Sequence, residues 1–165
     1  MRIMIILLAA TLIYGCATSY QSDGFSGGHS ETQLDEQVFK VTFRGNGYTR
    51  RERAADLSLL RCAELALQNG YNYFVIIDAD SYVSNSTYTT PTTTNTTASA
   101  YGTGNYAYGT AQSTTYGGQT YNISKPSSTN VIYLLKENPT DVFAYSAKFV
   151  YKSISEKYGI KNQSE

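Results

Sequence analysis

The sequence Val38-Phe-Lys-Val-Thr-Phe-Arg44 alternates apolar and polar side chains, and a turn of the form Gly45-Asn-Gly47 follows it at once. In a β-strand, successive side chains lie on opposite faces. Phe39, Val41 and Phe43 therefore share one face. This pattern predicts a strand with one buried face, the first element of the expected domain.

A helix is predicted directly after this strand. Thr49-Arg-Arg-Glu52 has the spacing of a capping box, in which the threonine hydroxyl and the glutamate carboxylate bind free amides of the first helical turn. Asn69-Gly70 places a glycine where a helix commonly ends. The helical period predicts a buried face made of Ala55, Leu59, Leu60, Cys62, Ala63, Ala66 and Leu67. The opposite, solvated face comprises Arg50, Arg53, Arg61, Glu64 and Gln68.

Two more strands are predicted further along the chain. Residues 71–83 are aromatic and β-branched with a continuous apolar centre, which indicates a strand covered on at least one face. The strand–helix–strand order favours a right-handed crossover between parallel strands. Residues 130–136 have a similar composition, and we expect them to pair antiparallel with residues 71–83.

A second helix is predicted over residues 141–158, with Asp141 as its N-cap and Gly159 at its end. Its predicted buried side comprises Phe143, Ala147, Val150, Ile154 and Tyr158, opposite Lys148, Lys152 and Glu156. The alternative is a strand, because residues 143–151 also alternate in polarity; the helix is favoured. These elements predict an α/β (α+β) fold of order β-α-β-β-α, a small two-layer sandwich formed by residues 37–160 as a single domain, with 161–165 as a frayed tail.

Residues 84–128 form a low-complexity insertion rich in Thr, Tyr and Gly. The segment has almost no aliphatic residues, so it cannot bury much surface against a core. Thr and Tyr nonetheless favour strands. We expect the ends of this segment to continue the neighbouring strands as a long projecting hairpin with a disordered tip, because a loop of this length does not fit inside a compact domain.

The N-terminus has the features of a lipoprotein signal peptide over residues 1–15. Arg2 precedes an apolar stretch of residues 3–13, which is too short to cross a bilayer as a helix. Ile13-Tyr14-Gly15-Cys16 resembles the lipobox of bacterial prolipoproteins, in which the cysteine thiol receives a diacylglycerol and the new α-amino group is acylated. Tyr14 is bulkier than the usual residue at its position. The alternative is a signal peptide with an incidental cysteine, or an N-terminal membrane anchor.

Residues 16–36 are predicted to be the lipidated cysteine and a flexible tether, because they are rich in Ser, Gly and Gln and show no periodicity. A random chain of that length would span roughly 25 Å. Ala17, at the position after the cysteine, is not the aspartate that retains lipoproteins in the inner membrane of enteric bacteria. We therefore expect the outer membrane, with the domain facing the periplasm or, alternatively, the cell surface. Lipidation of Cys16 would leave Cys62 without a disulfide partner.

The charge balance argues against nucleic acid as a partner. The chain carries 13 Lys plus Arg and 13 Asp plus Glu, so its formal net charge is zero. A neutral surface has no long-range field that would collect polyanions or anionic lipid headgroups. Contact with a membrane is therefore expected only through the lipid anchor.

Two segments, Val41-Thr-Phe-Arg-Gly-Asn-Gly-Tyr-Thr49 and Leu60-Arg-Cys-Ala-Glu-Leu-Ala-Leu-Gln-Asn-Gly-Tyr-Asn-Tyr-Phe74, resemble a family of uncharacterised small outer-membrane lipoproteins of proteobacteria. The family pattern is roughly V-x-F-x-G-N-x-x-T, then L-x-R-C-A-E-x-A-x-x-x-G-Y-x-Y-F. The resemblance covers most of the chain between Cys16 and the end, apart from the insertion. It implies a location and no activity. More loosely, the strand–helix–strand order resembles the fold of a lipoprotein that senses envelope stress, although the cysteines of that domain are missing here.

Several residues are candidates for a site. Asp78 and Asp80 share a strand face and could bind a cation or share a proton, but two carboxylates do not make a Ca²⁺ site. Arg50 and Arg53, with Arg51, lie in a first helical turn and indicate an anion-binding patch or, more simply, a solvated face. Tyr101, Tyr106 and Tyr108 would offer rigid amphipathic contacts to a partner.

The thiol of Cys62, beside Arg61 and Glu64, is a possible nucleophile. It is predicted to lie on the buried helix face, and the only histidine, His29, falls in the predicted tether. A core cysteine is therefore the favoured interpretation.

The sequence as a whole predicts a membrane-anchored envelope lipoprotein that is not an enzyme and acts as a binding or structural module for an envelope protein or polysaccharide. No metal and no cofactor are predicted beyond the covalent lipid on Cys16, and the oligomeric state is left open. The alternatives are an envelope-stress sensor and a hydrolase or metal-dependent enzyme built on Asp78, Asp80 and Glu64.

Overall fold

The computed structural model describes residues 17–161. Its elements in chain order are β1 (Gly28–Asp35), β2 (Val38–Arg44), α1 (Arg51–Gln68), β3 (Tyr73–Thr89), β4 (Thr93–Thr103), β5 (Tyr106–Tyr116), β6 (Thr120–Leu135), β7 (Tyr145–Ser146) and α2 (Ala147–Tyr158). The chain divides into two units. We call residues 17–84 with 124–161 the core domain, and Asn85–Ile123 the ribbon.

A five-stranded sheet of order β1-β2-β6-β3-β7 carries the core domain. β2 pairs antiparallel with both β1 and β6. β6 lies between β2 and β3, so the two strands that flank α1 are not neighbours. The prediction of a mixed α+β fold is confirmed. The order β-α-β-β-α is not observed, because β1, β4, β5 and β7 add strands that hydrophobic periodicity does not reveal.

The hydrophobic core lies between the sheet and the two helices. Alternate residues of β2 and β6 are buried, as the register of Phe39 opposite Ile132 illustrates. The core cluster comprises Phe39, Val41, Phe43, Ala54, Leu57, Leu60, Cys62, Ala63, Leu65, Ala66, Phe74, Ile132, Leu134, Ala147, Val150 and Ile154. The alternation predicted for Val38–Arg44 is thereby confirmed.

Helix α1 begins one residue later than predicted, and its buried face differs from the predicted one at several positions. Its N-cap is Arg50, without a side-chain hydrogen bond, so the capping box at Thr49 is wrong. Leu60, Cys62, Ala63 and Ala66 are buried as predicted, but Ala55 and Leu67 are exposed while Ala54, Leu57 and Leu65 are buried. The end of the helix is confirmed, since Gly70 has a φ of 77°.

Helix α2 is shorter than predicted. Asp141 and Phe143 precede it in an irregular segment, and Ser146 occupies the N-cap position. Phe143 is 76% exposed and does not join the core. The alternative strand is realised only at Tyr145–Ser146, which pairs with β3. Gly159 ends the helix in the left-handed conformation, as predicted.

The predicted flexible tether is wrong in its second half. Gly28–Asp35 forms β1, which pairs along β2 from Gly28 opposite Arg44 to Asp35 opposite Val38. Side chains of β1 are mostly exposed, so backbone hydrogen bonds to β2 contribute more to holding the strand than burial does. A strand of this kind leaves no hydrophobic pattern in the sequence.

Most of the ribbon is strand-paired, including the predicted disordered tip, and only residues 90–92 and 117–119 and the turn at 104–105 are not in strands. β4 pairs antiparallel with β5 from Thr93 opposite Tyr116 to Thr103 opposite Tyr106. The ends of the insertion continue β3 and β6, as predicted. All side chains of β4 and β5 are exposed, so the backbone ladder and the strand propensity of threonine and tyrosine supply the order.

Candidate functional site

The register of the ribbon gives its two faces different chemistry. Tyr101 lies opposite Tyr108, and Thr103 lies opposite Tyr106. Since residues directly opposite each other share a face, all four tyrosines of β4 and β5 lie on one face. That face, the tyrosine face, comprises Thr93, Asn95, Thr97, Ser99, Tyr101, Thr103, Tyr106, Tyr108, Thr110, Gln112, Thr114 and Tyr116. The other face carries only threonine, serine, alanine and glycine.

The tyrosine face is open to solvent and uncharged. Tyr101, Tyr106 and Tyr108 are 75%, 71% and 73% exposed. No Asp, Glu, Lys, Arg or His occurs between Asp80 and Lys125. The side chains that accompany the tyrosines are hydroxyls and the amides of Asn95 and Gln112. The arrangement offers aromatic faces and neutral hydrogen-bonding groups on one side of the ribbon.

Hydroxyl pairs join the strands on the opposite face. Thr94 and Thr115 hydroxyls lie 2.9 Å apart, and those of Thr96 and Ser113 lie 2.8 Å apart. Such cross-strand pairs stabilise an antiparallel ladder modestly. They hold the ribbon in register without using any group of the tyrosine face.

A groove in the core domain brings Arg50 and Arg53 together, two of the predicted candidates. Its lining comprises Ala17, Tyr48, Arg50, Glu52, Arg53, Lys157 and Tyr158, and its volume is about 450 Å³. The guanidinium of Arg53 stacks over the Tyr158 ring at 4.7 Å. Its Nε donates a hydrogen bond to the carbonyl of Thr18 at 3.4 Å.

Asp78 and Asp80 are exposed residues of β3. Among the described residues, no group of three or more His, Cys, Asp or Glu is placed to hold a metal ion. Glu64, the third residue of the enzyme alternative, is partly buried and bound to Arg61 and Tyr20. The structure does not bring these three carboxylates together as a set.

A charge cluster ties the first described residues and β1 to α1. Arg61 bridges Glu31, at 2.7 Å, and Glu64. The hydroxyl of Tyr20 donates to Glu64 at 2.6 Å, and the Tyr20 ring lies 4.9 Å from that of His29. Arg61 and Glu64, predicted to be solvated, are therefore partly covered, because β1 and the segment before it pack over that side of the helix.

The pKa values in this cluster follow from burial and from Arg61. The hydrogen bond from Arg61 lowers the pKa of Glu31 below its ordinary value. Burial raises the pKa of Tyr20, and the bond to Glu64 adds to this. Burial and the nearby Arg61 charge lower the pKa of His29. No sequence pattern indicates this cluster, because Tyr20, His29 and Glu31 lie in a segment without periodicity.

Cys62 is a core residue. It is fully buried and has no disulfide partner among residues 17–161. Burial raises the pKa of its thiol to about 12, so the reactive thiolate is scarce at neutral pH. The interpretation of Cys62 as a core cysteine is supported.

The predicted signal peptide, the lipobox residues Ile13, Tyr14 and Gly15, and Cys16 lie outside the described residues, as does the tail from residue 162. None of the helices within residues 17–161 is both long and apolar enough to span a membrane. The chain has no significant match among protein-family models, curated proteins or solved structures.

Proposed function

We propose that this chain is a bacterial envelope lipoprotein, anchored in the outer membrane through lipids on Cys16, whose ribbon binds a partner in the envelope without catalysing a reaction. The lipobox-like Ile13-Tyr14-Gly15-Cys16 supports the anchor. The single observation that carries the binding role is the gathering of four exposed tyrosines on one uncharged face of the ribbon. The lipoprotein family resemblance remains a prediction.

The chemistry of the tyrosine face favours polysaccharide over protein as the partner. Aromatic rings such as those of Tyr101 and Tyr108 pack against the C–H faces of sugar rings, and their hydroxyls can donate and accept. Asn95 and Gln112 add amides that suit sugar hydroxyls. A charged polymer would gain nothing from this face, because the ribbon carries no charge. We therefore propose an uncharged polysaccharide segment of the envelope as the ligand.

Crosslinking in living cells tests this proposal. A photoreactive phenylalanine analogue replaces Tyr108. The matched control places it at the neighbouring Ala107, which lies on the other face of the ribbon, among the threonine, serine, alanine and glycine residues. Glycan-containing adducts at Tyr108, and fewer than about one fifth as many at Ala107, are expected because adjacent strand residues point to opposite sides. Equal yields at both positions contradict the tyrosine face as the site, and protein adducts contradict the polysaccharide.

A soluble assay separates binding from anchoring. The chain with Tyr101→Ser and Tyr108→Ser keeps the hydroxyls and removes the rings, and it should lose at least tenfold in affinity for a neutral glycan that the parent binds. Retention on immobilised dextran and amylose provides the measurement. If the double variant binds as the parent does, the rings are not the binding groups.

A further inference from the structure

Thr18 is fixed to the core domain by hydrogen bonds on both its backbone and its side chain. Its N–H donates to the Thr49 hydroxyl at 3.0 Å, and its own hydroxyl donates to the Ser26 carbonyl at 2.8 Å. The Asn46 N–H donates to that same hydroxyl at 2.8 Å. Only 2% of Thr18 is exposed. The chain is therefore held firmly from its second described residue onward.

This attachment leaves no length for a tether after Cys16. At about 3.3–3.6 Å per residue, the Cα atoms of residues 16 and 18 are at most about 7 Å apart. If Cys16 is lipidated, as the proposed function holds, its acyl chains begin only a few covalent bonds beyond that distance from Thr18. The surface around Ala17 must then lie at the level of the lipid headgroups.

That surface is the groove described above. Three of its side chains are cationic, those of Arg50, Arg53 and Lys157, against the single carboxylate of Glu52. Lys157 also pairs with Asp56 at 2.6 Å, so the two arginines are the main source of positive charge. α1 begins here without a side-chain cap, which adds the positive end of its dipole.

The aromatic residues of the groove suit the same environment. Tyr48 is 74% exposed, and the Tyr158 ring packs against the Arg53 guanidinium. Tyrosine is enriched where membranes meet water, because its ring is apolar and its hydroxyl is polar. Arginine forms paired hydrogen bonds with phosphate oxygens. Residues of both kinds surround Ala17, the residue next to the predicted anchor.

We propose that this groove binds the phosphate of anionic phospholipid headgroups and holds the core domain in one orientation on the membrane, with the N-terminus of α1 and the C-terminus of α2 facing the lipid. The zero net charge of the whole chain does not oppose this contact, since screening limits it to charges within about 10 Å. The inference rests on the proposed lipidation of Cys16. It concerns a different surface from the ribbon.

Fluorescence quenching in vesicles tests the orientation. The acylated protein with Tyr48→Cys carries a fluorophore in the groove. The matched control carries it at Phe143→Cys, which precedes the N-terminal end of α2, whereas the groove lies at the C-terminal end of that helix. A helix of twelve residues is about 18 Å long, which separates the two probes. Cys62 is buried and an acylated Cys16 has no thiol, so labelling is selective. In phosphatidylglycerol–phosphatidylcholine vesicles with a headgroup quencher, we expect at least threefold stronger quenching at position 48.

A charge reversal tests the role of the arginines. Arg50→Glu, compared with Lys148→Glu at the exposed start of α2, makes the same change in net charge. We expect Arg50→Glu to reduce quenching at position 48 at least twofold and Lys148→Glu to leave it unchanged. Quenching that is equal at the two probes, or independent of both phosphatidylglycerol and Arg50, overturns the proposal.

Mass spectrometry of the same samples separates this failure from failure of the proposed function. A mature chain without acyl groups on Cys16 refutes the anchor itself. An acylated chain that shows no preferred orientation refutes only the docking of the groove.

Discussion

The backbone N–H of Thr18 donates a hydrogen bond of 3.0 Å to the hydroxyl of Thr49, and 31 positions separate the two residues along the chain. The same Thr49 hydroxyl lies 3.1 Å from that of Thr18 and 3.0 Å from the side-chain oxygen of Asn46. Thr49 is thus a junction between the first described residues and the turn before α1. This use of its hydroxyl explains why it does not cap the helix.

We predict that Thr49→Ala lowers the free energy of unfolding by about 1–3 kcal/mol, because it leaves the buried N–H of Thr18 without its acceptor. Thr49→Ser keeps the hydroxyl and should cost less than about 1 kcal/mol. Urea unfolding measures both values. Hydrogen exchange at Thr18 should accelerate at least tenfold in the alanine variant only; an unchanged rate would contradict the junction.

A second prediction concerns Arg61, whose side chain is only 13% exposed and bridges Glu31 and Glu64. Arg61→Gln should destabilise the chain by about 2–4 kcal/mol, since two partly buried carboxylates lose their cation. Arg44 is the matched control: it pairs with Asp23 but is 53% exposed, so Arg44→Gln should cost about 0–1 kcal/mol. If chemical denaturation shows equal losses of unfolding free energy for Arg61→Gln and Arg44→Gln, the partial burial of Arg61 adds nothing to the strength of its ion pairs.

The sequence predicted the elements whose burial leaves a periodic trace. Phe39, Val41 and Phe43 alternate because one face of β2 is buried, and Gly70 and Gly159 mark helix ends by their positive φ. β1 could not be found this way, because seven of its eight residues are at least partly exposed. The groove at Ala17 could not be found either, since Arg50 and Lys157 meet only through the packing of α1 against α2.

For the ribbon too, the sequence pattern alone does not reveal which residues share a face. Its composition predicted strands, and the backbone register was needed to show that Tyr101, Tyr106, Tyr108 and Tyr116 share a face. Tyr101 lies at an odd position and the other three at even positions, so alternation along the sequence alone separates them. The turn at Gly104-Asn105 sets the pairing that brings them together.

A third prediction concerns pH. The pKa of His29 is lowered by burial and by Arg61, so below its ordinary value of 6.5 the unfolded chain binds a proton more readily than the native chain. Stability should therefore be complete above pH 6.5 and fall as the pH decreases towards the lowered pKa. Glu31 acts in the same direction below pH 4.5, because its pKa is also lowered in the folded chain.

The check compares urea unfolding of the parent and His29→Gln at about pH 7.5 and about pH 5.5. The parent should lose stability between these values, and the variant should lose less. His29 is the only histidine, so an NMR titration assigns its pKa without ambiguity. A folded-state pKa at or above 6.5 would contradict the prediction.

A fourth prediction uses Cys62 as an internal probe of the core. Burial raises the pKa of its thiol to about 12, so iodoacetamide should alkylate it at less than about one hundredth of the rate of an exposed cysteine. In the acylated chain, mass spectrometry should detect no label under native conditions and one label in urea. Rapid alkylation of Cys62 under native conditions would contradict this prediction and would favour the alternative that Cys62 is a nucleophile.

The last prediction concerns the independence of the core domain from the ribbon. The hydroxyls of Thr89 and Thr120 lie 3.0 Å apart across β3 and β6, which marks a place where the two strands can be joined directly. Replacing residues 90–119 by Asn-Gly supplies the two-residue turn that antiparallel strands prefer. All sixteen buried apolar residues of the core cluster lie outside the removed segment. We therefore expect a cooperative unfolding transition and an unchanged near-ultraviolet circular dichroism signal per remaining tyrosine of the core domain. The shortened chain should also capture no partner in the crosslinking experiment.

A control that instead converts Tyr101, Tyr106, Tyr108 and Tyr116 to serine keeps the backbone of the ribbon and should lose the partner equally. If the shortened chain unfolds without cooperativity, the ribbon is part of the folding unit, and its role in binding would have to be tested with the serine variant alone.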